Sequence, residues 1–249
     1  MTLLAVERIK LFSTRSPWWC AALALVITVG ITALIAANTS TEFPLTVGVT
    51  QAFYTFGMYV VLVMAALAIT TEYRFSTIRA TFLAVPNRIS ALLAKTVVVS
   101  LLAGVIGELV AFGSWGISKL IKPDVNIAIN TAQEWRNVAG VGAVFFVGAI
   151  FAIAIGTLLR HTAGAVALLL VWALVVESLV GIIPKIGDDI QRWMPFVNGN
   201  RFLTAGTEPF PGEPVINYPF GAWGSLGYFA AISVGLLIVA FVVAKRRDA

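Results

Sequence analysis

The 249-residue sequence is poor in the residues that build disulfides, metal sites and charged surfaces. It contains one cysteine, Cys20, and one histidine, His161. A single cysteine excludes an internal disulfide, and no CxxC or Cys/His spacing typical of a metal site occurs. Charged residues make up 12% of the chain, about half the share usual in a soluble domain, whereas 59% of the residues are hydrophobic. This composition indicates that much of the protein faces lipid rather than water.

Motifs of common catalytic sites are also missing. The chain has no GxxxxGK[ST] phosphate loop, no HExxH and no GxSxG. His161 has no nucleophilic neighbour in the sequence, which favours a structural role. We therefore expect no enzymatic activity and no cofactor in this chain.

Six stretches are apolar enough to cross a bilayer, whose core of about 30 Å takes roughly 20 helical residues. They comprise residues 18–37, 47–70, 90–118, 138–159, 162–183 and 223–244. The fourth carries Gly148, Ala152 and Gly156, a spacing that favours close helix packing within the fold or between two copies. The sequence therefore predicts an all-α membrane protein with a single transmembrane domain over residues 1–249.

Basic residues are distributed unevenly between the two sides of these six spans. Eleven lie on the side of the two termini and six on the other side. Because basic residues concentrate in cytoplasmic segments, this bias predicts a multi-pass protein of the cell (plasma) membrane with both termini cytoplasmic. Orientation in the bilayer accounts for the net charge of +5, so we expect no nucleic-acid partner.

Two segments outside the spans have recognisable patterns. Residues 1–17 are predicted to form an amphipathic interfacial helix, with one polar and one apolar face: Glu7, Lys10 and Thr14 against Ala5, Val6, Ile9 and Phe12. Residues 184–222 are rich in proline and glycine and are predicted to form an external loop. Because irregular backbone is excluded from lipid, this segment is either an outer cap or a partly re-entrant hairpin.

Residues 71–88 interrupt the apolar sequence with four charges and a proline. Thr71 is predicted to cap a helix that Pro86 ends. One face of this helix carries an apolar stripe and the other carries polar residues at its edge: Phe75, Ile78, Phe82 and Val85 against Glu72, Ser76 and Arg79. A simple connection needs only a few residues, so this pattern indicates contact with a partner.

Two acidic residues lie inside predicted spans. Ionisable groups in spans are rare and usually face a protein interior or a water path. Glu108 follows Gly104 and Gly107, so its face can approach a neighbouring helix closely. Glu177 lies nearer the outer side, where it could reach Lys185 or water. Each is either a packing group or part of a substrate path or gate.

Three stretches carry a resemblance to a known family. TEYRFSTIRATFLAVPNRISALLAK, from Thr71, resembles the first cytoplasmic loop of type-2 ABC transporter permeases, the small six-span export subunits. In that family the loop carries an acid, basic residues, a Gly-Thr-like pair, a Pro-Arg turn and a lysine that opens the next span. The matching residues here are, in that order, Glu72, Arg74, Ser76 with Thr77, Pro86 with Arg88, and Lys95. Ser76 departs from the usual glycine, and Asn87 intervenes before Arg88. GTLLRHTAGAVALLL and RWMPFVNGNRF look like the family's turn between spans four and five and its external segment.

This resemblance implies a permease subunit of an ATP-driven exporter. The helix in residues 71–88 would be a cytoplasmic coupling helix that docks on a separate ABC ATP-binding subunit, which holds ATP and Mg. The residues at this contact would be Glu72, Arg74, Phe75, Ile78, Arg79 and Phe82. The family architecture also implies a second copy of the permease, as a homodimer with two ATPases. The substrate is not indicated.

Two other functions remain open. An ion-driven secondary transporter could use Glu108 as its proton or cation site, without a coupling helix. Such transporters usually contain inverted repeats, and none is visible in the sequence. A membrane scaffold that transports nothing is the third possibility.

Overall fold

The computed structural model of the protein describes residues 2–40, 43–85, 87–206 and 218–246, and all regular structure in these ranges is helical. Twelve α-helices are present there: α1 Leu3–Ser13, α2 Ser16–Asn38, α3 Val47–Gln51, α4 Tyr54–Arg74, α5 Thr77–Ala84, α6 Arg88–Ile121, α7 Ala132–Leu159, α8 Thr162–Leu170, α9 Glu177–Val180, α10 Gly187–Gln191, α11 Pro195–Thr204 and α12 Ala222–Arg246. A π-helical segment, Val171–Val176, joins α8 to α9.

The six predicted spans are confirmed as helices long and apolar enough to cross a membrane. They run over Ser16–Asn38, Val47–Arg74, Arg88–Ile121, Ala132–Leu159, Thr162–Val180 and Ala222–Arg246. The chain is therefore an all-α, multi-pass membrane protein. Helix α7 begins six residues earlier than its apolar run because Thr131 and Glu134 form a capping box. Helix α6 has 34 residues, about 51 Å of helix, so it extends beyond a bilayer core of about 30 Å.

The fourth span, α7, is the centre of the bundle. Of its most apolar stretch 72% is buried, compared with 22% for the first and fifth spans. Its small residues pack within the fold, because a Cβ added at Gly156 would lie 2.6 Å from Ile69 of α4 and one at Gly148 would lie 3.3 Å from Leu62. Absent side chains at this interface therefore let α4 and α7 approach closely.

Both described ends of the chain lie at one end of the bundle, which we call the basal end. It is formed by α1, α5, the turn between α7 and α8, and the last turn of α12. Lys10 of α1 contacts Thr81 of α5, and Arg160 in the α7–α8 turn stacks on Tyr73 at the end of α4, 5.0 Å from the ring centroid. His161 in the same turn accepts a hydrogen bond from the Gly164 N–H through Nδ1 at 3.0 Å and so caps α8.

The helix expected from Thr71 begins later in the structure. Thr71 does not cap it, because its hydroxyl donates to the Leu67 carbonyl one turn back at 2.6 Å and α4 continues to Arg74. The chain then turns at Ser76, whose φ of 57° lies in the left-handed region, and α5 starts at Thr77. The expectation of one helix over residues 71–85 is therefore wrong.

Within the predicted external segment, α11 packs among the spans, whereas residues 184–190 are mostly exposed. A Cβ added at Gly140 of α7 would lie only 2.8 Å from Phe202 of α11. Phe151 of α7 makes an edge contact with Phe196 of α11, with ring centroids 5.2 Å apart. Helix α11 thus runs along α7. Its first turn lies beside Phe151, which is only about 12 Å of helix from Leu159 at the basal end of α7. This position matches the re-entrant hairpin rather than the outer cap; residues 207–217 lie outside the described ranges.

Candidate functional site

Four side chains at the basal end form a closed network of ion pairs, which we call the charge ring: Glu7, Lys10, Glu72 and Lys95. The Lys95 ammonium lies 2.5 Å from Glu7 Oε2 and 2.9 Å from Glu72 Oε1. The Lys10 ammonium lies 2.8 Å from Glu7 Oε1 and 3.5 Å from Glu72 Oε1. Each acid therefore meets both bases, and the ring joins α1 to the second and third spans.

The charge ring is electrically neutral and mostly shielded from solvent. Glu7 and Lys95 are buried, Glu72 is nearly so, and Lys10 is partly exposed. Burial by itself raises the pKa of Glu7, but Lys95 and Lys10 together outweigh it and lower the pKa below its usual range. Burial likewise opposes the charge on Lys10, yet Glu7 and Glu72 raise its pKa. Removing one member would leave a buried charge without compensation, which is costly.

The charge ring determines which face of α1 points inward. Helix α1 occupies Leu3–Ser13 of the predicted range 1–17, because the next helix already begins at Ser16. Its polar face is turned toward the protein, with Glu7 buried. Leu4, Ile9 and Phe12 are exposed on the outer side. An outward apolar face suits a helix that lies in the headgroup layer of a membrane.

The ring is also connected to α5. The Lys10 ammonium donates a hydrogen bond to Thr81 Oγ1 at 3.0 Å. Thr81 lies in the middle of α5, so a displacement of α5 acts on the same lysine that pairs with Glu7 and Glu72. Among the described residues, the ring thus links α1, α4, α5 and α6 through side-chain contacts.

The apolar stripe predicted on α5 is not a single exposed surface. Ile78 is only 2% exposed and packs in the core, and Phe82 is half-buried with the Arg88 guanidinium stacked on its ring at 5.3 Å. Phe75, by contrast, is 68% exposed, and Leu83, which the sequence pattern did not single out, is 87% exposed. Ile78 is therefore packed inside the protein rather than on the exposed side of α5, and its contact with a partner stays a prediction.

The exposed surface of this segment, which we call the α5 surface, is formed instead by Phe75, Arg79 and Leu83, with Arg74 beside them. All four are exposed, and the Arg74 guanidinium lies 5.5 Å from the Phe75 ring centroid. Arg79 and Leu83 are four residues apart and so share one side of the helix. The surface combines apolar side chains with cations. Glu72 is not part of it, because its carboxylate points into the charge ring.

Glu108 lies on α6 where that helix packs against α7. A Cβ added at Gly142 would collide with the Glu108 carboxylate, so the acid rests directly on the α7 backbone. A Cβ at Gly107, one residue before it, would lie 2.9 Å from the same glycine. The close approach predicted for this face is present. Glu108 is half-buried, and its carboxylate forms no hydrogen bond or ion pair with the described residues.

Glu177 has a different environment: it is 3% exposed and holds the first turn of α11. Its Oε1 accepts hydrogen bonds from the Trp172 indole at 2.9 Å and the Phe196 N–H at 3.2 Å, and its Oε2 accepts one from the Val197 N–H at 2.8 Å. A carboxylate at a helix N-terminus compensates both the free N–H groups and the helix dipole. The sequence suggested that Glu177 could reach Lys185 or water. In the structure Glu177 instead caps α11.

Sequence reasoning identified Glu72 and Lys95 in one motif and placed Glu7 and Lys10 on one helix face, but did not pair them. One signal was available. Lys95 lies inside an apolar span without an acid one turn away on its own helix, so it needs a partner from elsewhere. Which partner it finds depends on contacts 88 residues apart, which local spacing does not reveal.

Neither protein-family models nor curated proteins match this chain. The resemblance to export permeases consequently rests on the motifs quoted above.

Proposed function

We propose that this protein is the membrane-spanning permease subunit of an ATP-driven exporter. The observation that carries the proposal is the α5 surface, which is exposed at the basal end and connected through Thr81 and Lys10 to the second and third spans. A surface of this kind suits a partner protein that delivers force to the spans. The chain has no phosphate loop of its own, so an ABC ATP-binding subunit would supply ATP and Mg.

The charge ring gives this proposal a route for coupling. Movement of the partner against α5 would displace Thr81 and, with it, Lys10. Because Lys10 pairs with Glu72 at the end of α4, and Glu72 pairs with Lys95 of α6, both spans would respond together. In this proposal the substrate path lies between two permease copies in the cell membrane, with both termini cytoplasmic.

Co-purification tests this proposal. The tagged protein is extracted in mild detergent from cells that express it at native level, and the partner is identified by mass spectrometry and by vanadate-sensitive ATP hydrolysis. We expect an ATPase in stoichiometric amount with the wild type. Phe75→Ala with Leu83→Ala should reduce its recovery more than tenfold, because burying each side chain favours docking by about 1.5–3 kcal/mol.

A matched control removes the same two residue types elsewhere. Phe112→Ala with Leu120→Ala changes exposed positions of α6 near the end opposite α5 and should leave ATPase recovery unchanged. Full recovery with the Phe75/Leu83 variant, in correctly folded protein, would refute the assignment of the α5 surface as the ATPase contact.

A second candidate, ion-driven transport, is favoured by the environment of Glu108. A half-buried carboxylate without a partner among the described residues could exchange protons or cations. Proteoliposomes with an enclosed pH-sensitive dye test this function without an ATPase. The ion-driven candidate predicts that an imposed pH gradient collapses with the wild type but not with Glu108→Gln, whereas the exporter proposal predicts no difference between them.

A further inference from the structure

A groove of about 620 Å³ opens at the basal end between the first turn of α6 and the last turns of α12. It is separate from the charge ring and from the α5 surface. Its lining consists of Ile89, Ile238, Phe241, Val242, Lys245 and Arg246. Apolar residues thus form most of the groove, and two basic residues lie at its basal mouth.

The order of these residues along α12 gives the groove a direction. Ile238, Phe241, Val242 and Lys245 follow the i, i+3, i+4, i+7 spacing and therefore share one helix face. Ile238 and Val242 are exposed, and they lie within a span that is long and apolar enough to cross a membrane. A molecule in the groove would contact hydrocarbon side chains at membrane depth and a cationic pair at the end of the span.

The two basic residues have no acidic partner in the described part of the chain. The acids described at the basal end, Glu7 and Glu72, are both engaged in the charge ring. Lys245 and Arg246 form no ion pair with described residues, so no described acid competes with an anion at the mouth. The complementary ligand is apolar along its length and negatively charged at one end.

We propose that this groove binds an anionic phospholipid of the surrounding bilayer. One acyl chain lies along Ile89, Ile238 and Val242, and the phosphate lies between Lys245 and Arg246. Basic residues at the membrane boundary attract anionic headgroups, each contributing about 1 kcal/mol, and their aliphatic stems can cover apolar surface. This site does not depend on the proposed export function.

Native mass spectrometry with added lipid tests the proposal. Purified protein is titrated with phosphatidylglycerol and with phosphatidylcholine of the same acyl chains. We expect the wild type to retain phosphatidylglycerol preferentially. Lys245→Ala with Arg246→Ala should weaken that binding about thirtyfold, equivalent to about 2 kcal/mol at about 1 kcal/mol per basic residue. Exchange of the two cations, Lys245→Arg with Arg246→Lys, should preserve it.

The matched control is Arg8→Ala with Arg15→Ala, which removes the same charge from exposed positions at the same end. It should leave lipid retention unchanged. Equal losses in the control and in the Lys245/Arg246 variant would overturn the site, because general attraction to anionic lipid would then explain the preference.

A variant that fills the groove, together with a competitor for the cations, distinguishes a phospholipid from the two other candidate occupants, free phosphate and a second copy of the chain. Val242→Trp should reduce retention of phosphatidylglycerol while both cations stay in place. Displacement of the lipid by glycerol phosphate alone would show that the cations bind free phosphate and would overturn the acyl-chain part of the proposal. Loss of dimers rather than of lipid in Val242→Trp would assign the groove to a second copy and overturn the proposal entirely.

Discussion

At the scale of single residues, the two acids inside spans have opposite environments. Glu177 accepts three hydrogen bonds, two of them from the backbone of α11. Glu108 has no hydrogen-bond partner among the described residues and rests on Gly142. The sequence placed Glu108 on a small-residue face and Glu177 nearer the outer side, but it did not identify the partners of either carboxylate. Their partners come from other helices, and this difference separates a structural carboxylate from a candidate functional one.

We expect Glu177→Gln to destabilise the protein and Glu108→Gln to leave its stability nearly unchanged. Glutamine at 177 keeps one acceptor but directs an amide N–H toward the backbone donors of α11, so the loss is about 1.5–3 kcal/mol, the range for hydrogen bonds to charged groups. Thermal unfolding of both variants in the same detergent measures the difference. Equal unfolding midpoints would show that Glu177 is not the cap that holds α11.

A functional comparison complements this measurement. Per molecule of correctly assembled complex, Glu108→Gln should reduce transport more than Glu177→Gln, because Glu108 lies deeper, on a face of small residues that packs against α7. Normal transport in both variants would remove Glu108 from the candidate substrate path.

At the scale of elements, the helices of the basal end show what local pattern predicts and what it does not. Amphipathicity predicted a helix over residues 1–17, and α1 occupies Leu3–Ser13 of that range, since the spacing of apolar residues is a property of the segment itself. It did not reveal that the polar face points inward, because that depends on Lys95 in the third span. The same limit applies to α5: the stripe from Phe75 to Val85 assumes one continuous helix, and the left-handed turn at Ser76 breaks it.

The strength of the link between α1 and α6 can be measured with a double-mutant cycle on Glu7 and Lys95. Glu7→Gln and Lys95→Met should each loosen α1 strongly, because each leaves the mostly buried ring with one charge that is no longer balanced. The double variant should be less destabilised than the sum of the two, with a coupling energy of about 1–3 kcal/mol. Susceptibility of α1 to limited proteolysis is the readout. Additive effects would contradict a direct ion pair.

Docking of α1 should also depend on pH at both extremes. The pKa of Glu7 is lowered from 4.5, so its stabilising charge is fully present above pH 4.5 and is lost as the pH falls through the lowered value. The pKa of Lys10 is raised from 10.5, so its contribution is complete below pH 10.5 and is lost as the pH rises through the raised value. A fluorophore on α1 should report a plateau between these values. Undocking near pH 6 would contradict the charge ring.

At the scale of the whole molecule, the six spans were predictable from the sequence. For residues 184–222 the sequence left two interpretations, an outer cap and a re-entrant hairpin. Long apolar runs identify spans because lipid imposes a length. Helix α11 has ten residues, too few to cross, so its depth is set by contacts with Glu177, Phe151 and Phe229 that lie elsewhere in the chain. Burial of α7 at the centre likewise results from assembly of its neighbours.

The orientation predicted from basic residues is testable with single cysteines in a background that lacks Cys20. A membrane-impermeant thiol reagent applied to intact cells should label Asp124→Cys, in the exposed turn after α6, and should spare Ser76→Cys at the basal end. Permeabilised cells, in which both positions should react, provide the control. Labelling of Ser76→Cys from outside would reverse the orientation.

The closed charge ring imposes an order on biogenesis. Glu7 leaves the ribosome before its partner Lys95, which is made 88 residues later, after two spans have been synthesised. At a synthesis rate of about 5–20 residues per second, this interval lasts about 4–18 s. During that time Glu7 cannot form its ion pair with Lys95. The outward apolar face of α1, with Leu4, Ile9 and Phe12, would allow the nascent segment to bind the membrane surface until the third span is synthesised.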